Sequence, residues 1–104
     1  MKYQILSPAK QELINSIEYY NTKVENLGYK FLLSFEDTVS RILLNPDAWQ
    51  PLSKNTRRCP LKSFPYGVIY QIDGSCIYII SIMNLKRKPD YWYKLINDNN
   101  FNSL

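Results

Sequence analysis

Six basic residues stand in the second half of the chain, on either side of a long apolar stretch, and they are the side chains best suited to chemistry. They are Arg57, Arg58 and Lys62 before the stretch, and Lys86, Arg87 and Lys88 after it. Arginine binds phosphate or carboxylate through two parallel hydrogen bonds, whereas lysine acts as a mobile point charge. Brought together, such residues would bind a polyanion, either a nucleic acid or an acidic protein segment. The alternative interpretation is a solvated basic surface that serves solubility.

A β-hairpin is the element that would bring the two halves of this basic set together. Two apolar runs, 66–72 and 76–83, meet at Asp73-Gly74, a dipeptide typical of tight turns. We expect a type I′ turn there, with positive φ at both residues. Because the strands of a hairpin are antiparallel, their outer ends lie side by side. The pattern therefore predicts that the six cations converge at one rim of a sheet.

The second run of the hairpin is apolar on both faces, which predicts a strand in the interior of the sheet. Strict alternation would place one set of side chains on one face and the next set on the other. The first set is Ile77, Ile79 and Ser81; the second is Tyr78, Ile80 and Ile82.

The composition restricts the chemistry that is possible. The chain contains no histidine, the commonest metal ligand and general base near neutral pH. Cys59 and Cys76 lack metal-ligand spacing and are expected to be reduced thiols. We therefore expect no metal and no other cofactor, and any catalysis would depend on Lys, Arg, Tyr, Asp or Glu.

The charge is distributed unevenly along the chain, and the basic half is also rich in aromatic residues. Residues 50–94 hold eight basic and two acidic residues, whereas residues 1–49 hold five basic and six acidic ones. This asymmetry favours a nucleic acid or an acidic protein as partner and gives no indication of a small-molecule substrate.

With 104 residues, the chain is expected to form one domain over residues 1–96, followed by a frayed, Asn-rich tail over residues 97–104. No apolar run approaches the roughly 20 residues of a membrane helix, and the N-terminus lacks the pattern of a secretory signal. We therefore expect a cytoplasmic protein with no membrane partner.

The first half of the chain predicts a short strand and two amphipathic helices. The strand covers 2–6, one helix starts at Ser7-Pro8, and the second helix ends before Asn45-Pro46. A loop over 47–55 and a strand over 57–64 then lead into the hairpin. The predicted fold is α+β, with an N-terminal helical hairpin packed on a three- to four-stranded antiparallel sheet.

This order of elements and two motifs resemble the RelE/ParE family of toxins from bacterial type II toxin–antitoxin systems. The motifs are FPYGVIY at 64–70 and RKPDYW at 87–92, and the similarity extends from Tyr3 to Leu95. The resemblance implies a toxin that arrests growth, a role associated with plasmid stabilization. It also implies a cognate antitoxin that binds the toxin and neutralises it.

The resemblance leaves two mechanisms open, and the residues do not decide whether the chain is an enzyme. RelE-like members are ribosome-dependent mRNA endoribonucleases, whereas ParE-like members inhibit DNA gyrase. As a metal-independent nuclease, this chain would use Arg87 for transition-state charge, with Tyr91 and Lys62 for proton transfer or positioning. Many relatives carry histidine where this chain has Asn84. Since asparagine cannot exchange a proton near neutral pH, gyrase inhibition is slightly favoured. A degenerate member without toxicity is the third possibility.

Overall fold

Two helices and five strands make up the part of the chain that the computed structural model describes, residues 1–86. The helices are α1 (Ser7–Lys23) and α2 (Leu27–Leu44). The strands are β1 (Lys2–Ile5), β2 (Gln50–Pro51), β3 (Thr56–Pro60), β4 (Tyr66–Asp73) and β5 (Cys76–Asn84). Neither helix of residues 1–86 is long and apolar enough to cross a membrane. The predicted α+β architecture is confirmed.

The two helices form the predicted hairpin, and local sequence explains where each begins and ends. A proline in the first turn of α1 suits a position whose N–H would have no intrahelical partner. Asn26 adopts a left-handed conformation, φ 65°, which reverses the chain into α2. The second helix ends directly before Asn45-Pro46, because a residue that precedes proline is driven out of the helical region.

The sheet has five strands in the order β1-β5-β4-β3-β2, so β5 is interior as predicted. Two expectations were wrong. The sheet contains more strands than the predicted three or four, because Gln50 and Pro51, assigned to a loop, pair with Arg58 and Arg57. It is also mixed, since β1 pairs with β5 in parallel while the other pairs are antiparallel.

The β4–β5 hairpin is present, but its turn lies one residue later than predicted. Asp73 pairs with Cys76, which makes Gly74 and Ser75 the two turn residues. Positive φ occurs at Gly74 alone, at 61°. This is the φ pattern of a type II′ turn, which needs glycine at the first central position, and the predicted type I′ turn at Asp73-Gly74 was wrong.

Replacing Gly74 by valine should lower the free energy of unfolding by about 1–2 kcal/mol, because a β-branched residue resists positive φ. A Cβ at this position would meet no atom within 4 Å, so backbone strain is the only cost. The matched control is Gly74→Asn, which tolerates positive φ and should cost less. Urea unfolding of the three proteins measures the difference, and equal stability of the valine and asparagine variants would contradict the argument.

A β-bulge at Ile80 changes the face of the sheet to which the side chains at the end of β5 point. Ile69 pairs with Ser81 and its neighbour Tyr70 pairs with Ile79, which leaves Ile80 without a partner opposite. One extra residue reverses the alternation beyond it. Ile82 consequently joins Ile79 in the core beneath the helices, and the predicted assignment of Ile82 to the opposite face was wrong.

The main core lies between the helical hairpin and one face of the sheet. Phe31, Phe35 and Ile42 from α2 pack with buried residues of the central strands, among them Val68 and Ile77. A second, smaller cluster forms on the opposite face. It consists of Ile69, Ile80 and Met83, with Leu6 and Leu52 packed against it.

Candidate partner-binding surface

Arg57 and Arg58 were predicted to converge with the other cations. The structure places these two arginines apart. Neighbouring residues of a strand point to opposite faces of the sheet. Arg57 Nη1 donates to the carbonyl oxygens of Asp47 at 3.0 Å and Trp49 at 2.9 Å, and its side chain is only 25% exposed. These bonds satisfy backbone acceptors in the connection from α2 to β3, so Arg57 is a structural anchor.

Arg58 makes its contacts on the face of the sheet opposite the helices. Its Nη2 atom donates to Gln50 Oε1 at 2.6 Å, across the short β2–β3 pair. Its aliphatic part lies over Gly67, where an added Cβ would be 3.1 Å from Arg58 Cγ and Cδ. Arg58 therefore supports the edge of the sheet and does not share a site with Arg57.

Lys62 lies in the turn between β3 and β4 and is 70% exposed, with its Nζ atom 3.9 Å from Asp37 Oδ2. This turn is held against α2 by Ser34 Oγ, which donates to the Lys62 carbonyl oxygen at 2.6 Å. Ser63 has a φ of 70°, uncommon for a residue other than glycine. The anchored turn fixes Lys62 beside the second helix.

A groove of about 610 Å³ lies between α2 and this turn, and we call it the first groove. Its surface is mainly apolar, and its lining residues include two lysines and one carboxylate. They are Tyr20, Leu27, Lys30, Leu33, Ser34, Asp37, Lys62, Ser63, Phe64 and Pro65. Leu33 is 46% exposed, although leucine is usually buried. The arrangement suits an apolar side chain of a partner whose flanks carry negative charge.

A second groove, of about 520 Å³, lies where α1 faces the start of β4 and the end of β5. Polar and aromatic residues line it, and those within residues 1–86 include one cation and no carboxylate. They are Asn15, Ser16, Tyr19, Tyr20, Pro65, Tyr66, Asn84 and Lys86. Asn84, which the resemblance places where many relatives carry histidine, therefore belongs to a groove, and its Oδ1 atom accepts a bond from the Lys86 backbone N–H at 2.9 Å.

An aromatic wall separates the two grooves. Tyr20 lies 5.4 Å from Phe31, 5.0 Å from Phe64 and 6.0 Å from Tyr66, measured between ring centroids. Burial, together with a hydrogen bond to Tyr66, raises the pKa of Tyr20 to about 12. The Tyr20 hydroxyl is therefore a neutral group at physiological pH.

The six cations accordingly do not form one cluster within residues 1–86, and the predicted convergence was wrong for Arg57 and Arg58. Arg57 and Arg58 lie on opposite faces, while Lys62 and Lys86 line different grooves. The remaining predicted site residues, Arg87, Lys88 and Tyr91, lie outside the described residues, as does the predicted tail over 97–104. Within residues 1–86 no group of His, Cys, Asp or Glu side chains could hold a metal ion.

Glu12 has a role that the sequence did not reveal. Its Oε1 atom accepts bonds from Ser81 Oγ at 3.0 Å and the Ile82 backbone N–H at 3.1 Å. Strand β1 pairs with β5 only as far as Ile79. Beyond that residue, the Glu12 carboxylate accepts a backbone hydrogen bond from β5 in place of the partner strand. Tyr19 and Leu33 were also not predicted as site residues. Both are exposed apolar side chains, which helical periodicity assigns only weakly to one face of a helix.

Comparisons with known proteins agree with this architecture. Residues 3–89 match the family described as "ParE toxin of type II toxin-antitoxin system, parDE". No curated protein is significantly similar in sequence. Among solved structures, a chain of the chromosomal ParDE toxin–antitoxin system from P. aeruginosa superimposes with a TM-score of 0.64 at 18% identity. The alignment covers 83% of this chain and 97% of that chain. Since the family match extends over most of the sequence, the chain belongs to the ParE family of type II toxins.

Proposed function

We propose that this toxin arrests growth by binding and inhibiting DNA gyrase, without carrying out a reaction of its own. The main support is the placement of the two lysines of the basic set that the structure describes, Lys62 and Lys86. Metal-independent cleavage requires a base, an acid and cations around a single phosphate. Lys62 lines the first groove and Lys86 the second, with the aromatic wall between them. Neither groove is therefore lined by both of these lysines.

The composition of the second groove supports the same proposal. A general base or acid works best when its pKa lies near the operating pH. Tyr20, with a pKa of about 12, remains protonated, and Asn84 has no proton to exchange near neutral pH. Neither side chain can replace the histidine that many relatives carry at the position of Asn84.

Two reactions with purified components test the proposal. We expect the full chain to inhibit DNA supercoiling by gyrase and to leave mRNA intact on programmed ribosomes. The matched control is the toxin bound to its antitoxin, which should be inactive in both reactions. Cleavage of mRNA in the ribosomal A-site that disappears in Arg87→Ala would overturn the proposal and favour the nuclease alternative.

Tyr91→Phe separates the two mechanisms further. Removing one hydroxyl takes away a proton donor but keeps the ring, so an inhibitor that acts by binding should keep its inhibition of supercoiling nearly unchanged. A nuclease that used Tyr91 as its acid would lose roughly 100-fold or more in cleavage rate. Dose–response curves for growth arrest and for supercoiling, measured side by side, distinguish these outcomes.

A cognate antitoxin, the second component of a ParDE pair, is the proposed regulator, and the first groove is its proposed docking site. The groove offers apolar walls around Leu33 and Phe64, and Lys30 and Lys62 lie among its lining residues. An antitoxin segment that folds on binding would place an apolar residue in the groove and its Asp or Glu side chains near the lysines. Pairing of these acidic side chains with the lysines favours the correct register of the antitoxin in the groove and its fast association with the toxin.

Co-expression with the product of the neighbouring open reading frame tests this partnership. We expect the two chains to co-purify and the growth of the host cells to be restored. A neighbouring product that neither binds nor restores growth would contradict the proposed regulation, while leaving the gyrase experiment to be judged by itself.

A further inference from the structure

We propose that the second groove binds single-stranded nucleic acid, with one base stacked on Tyr19 and an adjacent phosphate at Lys86. This binding would be a property of the isolated chain, and it goes beyond the inhibition of gyrase.

The groove has the dimensions and the charge that a nucleotide requires. Its volume of about 520 Å³ lies within the range of sites for small organic molecules, roughly 300–1,000 Å³. Among the residues 1–86 that line it, Lys86 is the one cation and none is acidic. The first groove has two lysines and Asp37, which gives it the same net charge, but its surface is mainly apolar. A phosphate is therefore better accommodated in the second groove than in the first.

Tyr19 supplies a surface on which a base can stack. Its side chain is 52% exposed, and its ring meets that of Tyr20 edge-to-face at 5.1 Å between centroids. Lys23 Nζ lies 5.1 Å from the centroid of the Tyr19 ring and adds a second positive charge beside it. Exposed aromatic rings next to cations are the usual elements of single-strand binding, since every base has a face that can stack.

Two asparagines complete the groove with groups that can contact a base edge. The Oδ1 atom of Asn15 accepts from Gln11 Nε2 at 2.9 Å, and that of Asn84 accepts from the Lys86 backbone N–H at 2.9 Å. Because these bonds use the oxygens, the hydrogen bonds within residues 1–86 leave the amide N–H groups to donate to ligand acceptors. Amide donors of this kind pair with the acceptors of bases.

Fluorescence anisotropy of the full chain, with labelled 12-nucleotide DNA and RNA of one mixed sequence, tests the inference. We expect both strands to bind, since stacking and phosphate contacts are common to them, and a 12-base-pair duplex to bind more weakly. If the RNA strand binds more tightly than the DNA strand, the groove contacts a 2′-hydroxyl. If the two affinities are equal, binding depends on the bases and phosphates that both strands contain. Both of these outcomes support the site.

Variants then locate the site on the surface. Tyr19→Ala should weaken binding by about tenfold, the usual effect of losing one stacked base, and Tyr19→Phe should restore it. Lys86→Ala should weaken binding and reduce the slope of log affinity against log salt by about 0.7. The matched control is Tyr29→Ala, an equally exposed tyrosine on α2 outside the groove, which should bind as the wild type does.

Three results would overturn the inference. They are no binding of either strand at low salt, unchanged affinity in Tyr19→Ala, and an equal loss in Tyr29→Ala. Since the assay contains no gyrase, a chain that inhibits supercoiling but fails here would refute the nucleic-acid site alone.

Discussion

Replacing Gly28 by alanine should lower the free energy of unfolding by about 3 kcal/mol, since overpacking typically costs 1–3 kcal/mol and a hydrogen bond about 1 more. A Cβ at Gly28 would lie 2.3 Å from the backbone oxygen of Ile17 and 2.7 Å from the Asn21 side chain. The Gly28 N–H also donates to Asn21 Oδ1 at 2.8 Å. The methyl group would therefore push α1 and α2 apart and lengthen this bond. For a domain of this size the midpoint of thermal unfolding should fall by roughly 15 °C.

Two control variants distinguish the backbone clash from other causes. Gly67→Ala also adds a methyl group, but its Cβ would meet only side-chain atoms of Arg58 and Leu85 at 3.1–3.2 Å, which can move. We expect it to cost less than 1 kcal/mol. Asn21→Ala combined with Gly28→Ala removes the side-chain contact but leaves the Ile17 oxygen in place, so it should not recover stability. A Gly28→Ala protein as stable as Gly67→Ala would show that the two helices can separate without loss.

The two helices and the β4–β5 hairpin could be predicted because each depends on short-range signals. Proline fixes the start of α1, Asn45-Pro46 fixes the end of α2, and the apolar runs around Gly74 form the hairpin. The resemblance to toxins was confirmed by the family match. These features depend on local backbone preferences and on residue spacing, both of which are visible in one sequence.

The faces of the sheet and the positions of the cations could not be predicted, because they depend on contacts between distant segments. The bulge at Ile80 inserts one residue into a regular alternation, and nothing in an apolar run identifies which residue is extra. In the sequence, Arg57 cannot be told apart from a ligand-binding arginine. In the structure, its guanidinium donates hydrogen bonds to carbonyl groups of the α2–β3 connection. Glu12 similarly reaches a backbone N–H that is 70 residues away in sequence.

The two grooves give one small domain two chemically different surfaces, which has a consequence for regulation. The first groove is apolar with Lys30 and Lys62, and the second is polar and aromatic. Both are lined in part by Tyr20 and Pro65. An antitoxin seated in the first groove would thus contact the wall of the second, so that partner binding and any ligand of the second groove are expected to influence each other.

Leu33→Asp should weaken the complex with the antitoxin by about 100-fold, the effect of losing a central apolar contact and placing a carboxylate opposite an acidic segment. Leu33 lines the first groove and is 46% exposed, so the free toxin should fold with nearly unchanged stability. We expect the variant to remain toxic, because the antitoxin, and not gyrase, is the proposed occupant of the first groove that Leu33 lines. The expected phenotype is growth arrest that the antitoxin no longer relieves, measured together with the dissociation constant by calorimetry.

The matched control is Leu44→Asp, which places the same charge on the same helix at a leucine that is 79% exposed and does not line the first groove. It should bind the antitoxin as tightly as the wild type and be neutralised fully. Lys62→Glu should act in the same direction as Leu33→Asp, because it reverses a charge among the residues that line the same groove. If Leu33→Asp and Leu44→Asp were neutralised equally well, the antitoxin would have to dock elsewhere. Leu33 would then be expected to contact a different partner.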